Sequence, residues 1–152
     1  MIIPNIFQAT EVDQLIERIN MLSPSTKPLW GKMYADQMLA HVSVAYEMAF
    51  EDLHPKPKGF KKLILKLFVK KAVTGPKAYS KNSRTAPVFI IKGSRDFEVE
   101  RKRLINYLNK VLSLGKEHFE QLESHGFGPL SSEEWNTLFA KHLEHHLQQF
   151  GV

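Results

Sequence analysis

The chain has 152 residues, of which 43% are hydrophobic, and this suits a single domain, residues 1–152, around one core. It contains no cysteine, which excludes disulfide bonds, thiolate metal sites and cysteine nucleophiles, so any metal ligands must be histidines or carboxylates. The formal net charge is +5, and most of the excess lies in residues 56–81, which argues against a uniformly basic nucleic-acid face.

Features of export or membrane insertion are not found in the sequence. The first residues, Met1 to Asn5, lack the basic region and the long apolar stretch of a signal peptide. No apolar run approaches the ~20 residues that a bilayer requires. We therefore expect a cytoplasmic protein without stable membrane insertion.

The first predicted helix spans Thr10 to Asn20, because apolar residues recur there at helical spacing. Thr10 and Asp13 are placed as a pair that could cap its N-terminus. Two prolines and several hydroxyl residues in 23–28 then favour a loop leading to Trp30.

A second, long helix is predicted from Ala35 to Leu53, where apolar residues repeat with a period near 3.6. His41 falls inside this apolar stripe. A lone histidine on such a face is more often a hydrogen-bonded core residue than a ligand, and both interpretations stay open at this point. The prolines at 55 and 57 end the helix.

The segment 60–73 interleaves five lysines with apolar residues. One interpretation is an amphipathic helix on a membrane surface or in a partner's groove. The other is a basic connector that packs its apolar side on the other helices. We favour the connector, because the lysines are scattered around the helical wheel.

Residues 75–93 are predicted to form an extended crossover, since the apolar run Val88 to Ile91 is rich in β-branched residues and too short for a helix. A third long helix follows from Phe97 to Leu114, with a break expected at Gly115. Phe119 and Leu122 then suggest a further helical turn or two.

The last helix begins at Ser131 or Ser132, whose hydroxyl can cap it. His142 and His146 lie one turn apart on the same side as Trp135 and Phe139, and His145 lies at the edge of that side. Two buried imidazoles on an apolar face need hydrogen-bond partners or a metal ion. The alternative is a partly exposed helix end whose histidines interact with the helix dipole.

Two motifs carry a family resemblance: His41 at the end of Gln37-Met38-Leu39-Ala40-His41, and His142-Leu143-Glu144-His145-His146. Together with residues 27–33, 85–87 and 96–98, they resemble an uncharacterised branch of the DinB-like superfamily. The resemblance implies an all-α, up-down-down-up four-helix bundle with a long crossover between the second and third helices. It also implies that His41, His142 and His146 hold a divalent metal ion, which would be Zn, Ni, Fe or Mn.

Characterised DinB-like proteins include thiol S-transferases that use a low-molecular-weight thiol, and a thiol-dependent isomerase. The resemblance therefore implies a metal-dependent enzyme that activates a thiol or water for transfer to a small electrophile. Many relatives have Arg-Gly-Gln after the final histidine, whereas this chain has Leu147-Gln148-Gln149. That departure leaves the three histidines in place and makes the substrate an open question.

Other residues are candidates for supporting roles. Pocket candidates are Gln37, His145 and Gln149, and candidates for a base or an orienting partner are Glu47, Asp36 and Glu144, the last expected to face solvent. A non-catalytic binding or scaffold protein of the same fold is the main alternative function. Membrane or nucleic-acid binding through the lysine-rich segment ranks lower, and a homodimer is the oligomer that base rates favour.

Overall fold

The structure is a computed structural model that describes residues 2–152. The chain is mostly helical, as predicted, with one small two-stranded antiparallel sheet. Its elements are, in chain order, α1 (Ala9–Asn20), α2 (Ala35–Phe50), α3 (Gly59–Ile64), a π-helical turn (Leu65–Val69), α4 (Lys70–Thr74), a 3-10 turn (Pro87–Phe89), α5 (Phe97–Phe119), β1 (Leu122–Ser124), β2 (Gly128–Leu130) and α6 (Ser132–Gln149).

The core lies between the four long helices. Helix α2 packs on α5 and α6, and α5 also contacts α1 and α6. An aromatic stack crosses this core, with Tyr46 parallel to Phe139 at 4.4 Å and Trp135 next to Phe139 at 5.2 Å between ring centroids. Each large apolar side chain buried in this way contributes roughly 1.5–3 kcal/mol, so packing fixes α2 against α6.

Helix α1 begins differently from the prediction. Gln8 occupies the cap position and makes no side-chain cap hydrogen bond, so the predicted cap pair of Thr10 and Asp13 is wrong. The first turn is instead held by Glu11, whose carboxylate accepts a hydrogen bond from the backbone N–H of Asn5 at 2.7 Å. This contact with the preceding residues replaces the cap that the sequence pattern indicated.

Helix α2 ends at Phe50, three residues before the predicted end, because Glu51 already has extended backbone dihedrals. Near this end the buried carboxylate of Glu47 pairs with Arg103 of α5 and accepts a hydrogen bond from His54 Nε2 at 2.7 Å. This network joins α2 to α5 and orients the chain that leaves α2.

The predicted break at Gly115 is confirmed, because its φ of 76° lies outside the helical region. Glycine suits this position, since a positive φ is unfavourable for residues with a Cβ. The helical turn expected at Leu122 is wrong, because β1 and β2 form a hairpin in which Leu122 pairs with Leu130. Ser131 caps α6 by accepting a hydrogen bond from the backbone N–H of Glu134 at 3.2 Å, which confirms the predicted start.

The lysine-rich segment is helical, and the favoured prediction that it packs its apolar side on the other helices is confirmed only in part: α4 contacts α6, and Leu65, Val69 and Val73 are partly buried. None of the residues 59–74 is buried, and Phe60 and Phe68 are largely exposed. The following crossover, predicted to be extended, contains the 3-10 turn at Pro87–Phe89 within irregular backbone. This turn contacts α2 and brings Phe89 to His41.

Candidate metal centre

The three histidines of the two motifs meet where α2 packs on α6. His41 comes from α2, and His142 and His146 are one turn apart on α6, so their side chains project from the same face. His41 Nε2 lies 3.0 Å from His142 Nε2, and the imidazole centroids are 4.6–4.9 Å apart. One ring nitrogen from each histidine lies within 4.8 Å of the others, so the three could hold a metal ion.

Two of the imidazoles are oriented by hydrogen bonds from their other ring nitrogen. His41 Nδ1 donates to the carbonyl oxygen of Phe89 at 2.7 Å, because a carbonyl can only accept. His146 Nδ1 donates to Gln149 Oε1 at 2.7 Å, and Gln149 Nε2 in turn donates to the carbonyl oxygen of Trp30 at 2.7 Å. Both rings therefore carry the proton on Nδ1 and the lone pair on Nε2, which is the tautomer that metal-binding histidines use. In this structure His142 Nε2 donates to Nε2 of His41 at 3.0 Å.

Burial favours the neutral form of the histidines. Desolvation, together with the nearby ring of His41, lowers the pKa of His146 from 6.5 to about 3, although its hydrogen bond to Gln149 raises it. Burial and the adjacent imidazoles hold the pKa of His142 well below its usual range, and burial lowers the pKa of His41 although its hydrogen bond to Phe89 raises it. Neutral imidazoles are the state that binds metal, so the donor set fits a divalent cation.

Aromatic side chains surround the three histidines. The ring of Phe89 lies 5.5 Å from His41 and 5.6 Å from His142, and Tyr79 stands edge-on to His142 and His145. Burial raises the pKa of Tyr79 to about 12, so its phenol stays protonated and can donate a hydrogen bond. These aromatic rings form an apolar wall beside the histidines. Electrostatic interactions at the histidines are stronger in such an apolar environment than in water.

Trp30 completes the wall beside His145, with its ring 5.8 Å away and the ammonium of Lys81 4.3 Å above its face. Trp30 Nε1 is buried, and no residue of the described chain accepts a hydrogen bond from it. His145 itself is half-buried next to His146 and stays outside the group of three.

Residues 3–151 match a family described as a protein of unknown function (DUF1569). The chain belongs to the DUF1569 family. Comparison with curated proteins and with solved structures gives no significant match.

The other candidate residues of this DUF1569 protein lie in different surroundings. Gln149 is buried and holds His146 in place. Gln37 caps α2 and donates to the carbonyl oxygen of Gly93 at 3.0 Å, so its side chain is engaged at the helix start. Asp36 accepts a hydrogen bond from the backbone N–H of Arg95, and this also orders the crossover near the start of α2.

Glu144 does not face solvent as predicted. It is buried and pairs with Arg18 of α1 at 2.5 Å, on the side of α6 opposite His142. A cleft of about 390 Å³ between α1 and α6 opens beside this pair and therefore lies away from the histidines. Glu144 and Glu47 serve as ion-pair partners that hold helices together.

Sequence reasoning missed the contribution of the crossover. Lys141, next to His142 in the chain, is fully buried, and its ammonium donates to the carbonyl oxygens of Ala72, Gly75 and Lys77. This anchors the start of the crossover on α6 and brings Tyr79 over the histidines. The crossover has no hydrophobic periodicity that would have indicated these contacts. The one signal in the sequence is the position of Lys141 beside the apolar stripe of α6, which indicates a buried ammonium.

Proposed function

We propose that this protein is a metal-dependent enzyme of the DinB-like type. In this proposal α1, α2, α5 and α6 form an up-down-down-up bundle, and the segment between α2 and α5 is its crossover. The packing of these four helices on one another and the order of the motifs support this assignment.

His41, His142 and His146 would hold a divalent ion, which we propose to be Zn, Ni, Fe or Mn. One observation carries this proposal: three imidazole nitrogens lie within 4.8 Å of one another on a buried face. Burial holds these rings in the neutral form, which is the form that binds a metal ion. When bound, a metal ion lowers the pKa of a thiol or water and polarises an electrophile.

The residues around the histidines have separate roles in this proposal. The Phe89 carbonyl and Gln149 keep a proton on Nδ1 of His41 and His146, which directs both Nε2 atoms to the same point. The phenol of Tyr79 would donate a hydrogen bond to a substrate oxygen or sulfur. The ammonium of Lys81 above Trp30 would attract an anionic small molecule, such as a low-molecular-weight thiolate.

A non-catalytic protein with a structural ion is the second candidate, and the cover over the histidines favours it. Phe89 and Tyr79 stand edge-on to His142 and leave only part of its surface exposed, so these rings restrict the approach of a substrate. We also propose that the protein acts in the cytoplasm and forms a homodimer. None of the helices within residues 2–152 is long and apolar enough to cross a membrane.

Metal analysis followed by thiol binding tests the proposal. Tag-free protein should contain about one divalent ion per chain, and His41→Ala should lose it while His118→Ala keeps it. Cobalt-loaded protein titrated with a low-molecular-weight thiol should then develop a sulfur-to-metal charge-transfer band. An ion that never takes up thiol, azide or water would favour the structural role, and protein that binds no metal after reconstitution would contradict both candidates.

A further inference from the structure

The charge of the molecule is divided between two parts of the chain. Twelve of the 21 basic residues lie in residues 53–95, where the sequence has no Asp or Glu. The rest of the chain therefore has nine basic residues against all 16 acidic residues. The overall charge of +5 thus combines a strongly basic segment with an acidic remainder, and the basic segment includes the helical residues 59–74.

An apolar stripe lies on the solvent side of this helical segment. Its members recur at positions i, i+3, i+4, i+7 and i+8, which is the spacing of one helical face. The stripe consists of Phe60 (76% exposed), Leu63 (49%), Ile64 (39%), Leu67 (61%) and Phe68 (74%). A soluble domain rarely leaves so many large apolar groups together in water, so the stripe indicates a binding surface.

The opposite side of the segment is fixed to the rest of the protein. Lys70 pairs with Glu134 of α6 at 2.9 Å, and Lys62 pairs with Glu123 of the hairpin at 3.3 Å. Lys61, Lys66 and Lys71 are exposed and form no ion pair with any residue from 2 to 152. The stripe is therefore exposed, and these three lysines alternate with it along the same segment.

We propose that this stripe and its lysines bind the surface of an anionic membrane. An occupant must be apolar where it meets the stripe and negative where it meets the lysines, and a lipid layer with anionic headgroups provides both. Duplex nucleic acid offers phosphates for the lysines but no apolar phase for Leu63, Ile64 and Leu67. Binding would be peripheral and reversible, with the segment in the plane of the headgroups.

Vesicle sedimentation tests this proposal on the whole 152-residue chain. The probes are phosphatidylcholine vesicles with and without about 30% phosphatidylglycerol, at low and at high salt. Phe60→Ser/Phe68→Ser removes the aromatic part of the stripe, and its matched control is Met21→Ser/Val99→Ser, at two exposed apolar residues elsewhere. Lys61→Gln/Lys66→Gln/Lys71→Gln removes the free charges, and Lys27→Gln/Lys102→Gln/Lys116→Gln is its control. Circular dichroism checks that every variant stays folded.

We expect wild-type protein to bind only the anionic vesicles, and more weakly at high salt. The triple lysine variant should lose on the order of a hundredfold in partitioning, because each lysine near an anionic surface contributes a factor of about five. The double phenylalanine variant should lose roughly tenfold, with both controls unchanged.

Three results would overturn the proposal. The first is the absence of stripe-dependent binding to anionic vesicles at low salt, either because wild type does not bind or because the double phenylalanine variant binds equally well. The second is a dimer in solution that the same variant dissociates, which would assign the stripe to a second copy. The third is binding to a DNA duplex as tight as to the vesicles, which would assign the lysines to nucleic acid.

Discussion

Gln149 connects the candidate metal ligands to the loop before α2, because it accepts from His146 Nδ1 and donates to the Trp30 carbonyl. Hydrogen bonds behind a metal ligand fix the orientation and the protonated nitrogen of the ring. The sequence places Gln149 on the histidine face one turn after His146, but only the structure shows that it faces the ring from behind.

Replacing Gln149 should therefore weaken metal binding without unfolding the protein. We expect Gln149→Ala to lose about 10–100-fold in metal affinity, measured by competition with a chromophoric chelator. Gln148→Ala is the matched control, since Gln148 is exposed and bonds to Glu144 on the other side of α6. Equal affinities for wild type and Gln149→Ala would show that this hydrogen bond does not orient a ligand.

The buried histidines also predict how the metal-free protein responds to acid. Between pH 6.5 and about 3, the unfolded chain binds a proton that folded His146 does not, so the free energy of unfolding falls as pH decreases. In chelator, urea unfolding from about pH 7.5 to about pH 5 should show this loss, and His146→Gln should reduce it. His118→Gln, at an exposed position, should keep the wild-type slope. A stability that does not change with pH would contradict the burial of these rings.

At the scale of elements, hydrophobic periodicity was sufficient to predict the helices α1, α2, α5 and α6. These helices bury one continuous side, and their apolar residues therefore recur every three or four positions. The hairpin of β1 and β2 escaped prediction because its strands have three residues each, too few to show alternation. The exposure of one apolar side of the lysine-rich segment could not be predicted, because its apolar residues lie on two faces of the helix. The sequence does not show which of these faces contacts the rest of the protein.

The part of the crossover that lies between α4 and α5 is held by one side chain, which hydrophobic periodicity could not identify. The ammonium of Lys141 donates to the backbone carbonyl oxygens of Ala72, Gly75 and Lys77 and would leave all three without this donor if it were removed. We expect Lys141→Ala to lower the free energy of unfolding by about 1–3 kcal/mol in urea titrations.

Lys141→Ala should also loosen the crossover, and the rate of proteolysis measures this effect. Trypsin should cleave Lys141→Ala faster than wild type at Lys77, Lys81 and Arg84, which lie in the crossover. Lys102→Ala, at an exposed lysine of α5, should match wild type in both assays. Unchanged stability and cleavage in Lys141→Ala would mean that other contacts hold the crossover.

At the scale of the whole molecule, a metal ion held by the three histidines would couple metal binding to folding. An ion held by His41 on α2 and by His142 and His146 on α6 would bridge two helices that are far apart in sequence. Its binding free energy then adds to stability wherever the unfolded chain binds the ion less well. The aromatic core between the same helices is large enough to fold without the ion, so removal of metal should destabilise the protein and leave it helical.

The chelator-induced change in melting temperature, compared between wild type and His146→Ala, tests the metal centre most directly. At free metal about 100-fold above its Kd, the ion contributes about 2.7 kcal/mol, which corresponds to a shift of roughly 5–10 °C for a chain of this size. We expect chelation to lower the melting temperature of wild type, His118→Ala and His125→Ala by that amount, with helical circular dichroism retained. His142→Ala and His146→Ala should show no shift. Equal shifts in wild type and His146→Ala would contradict a metal centre formed by these histidines.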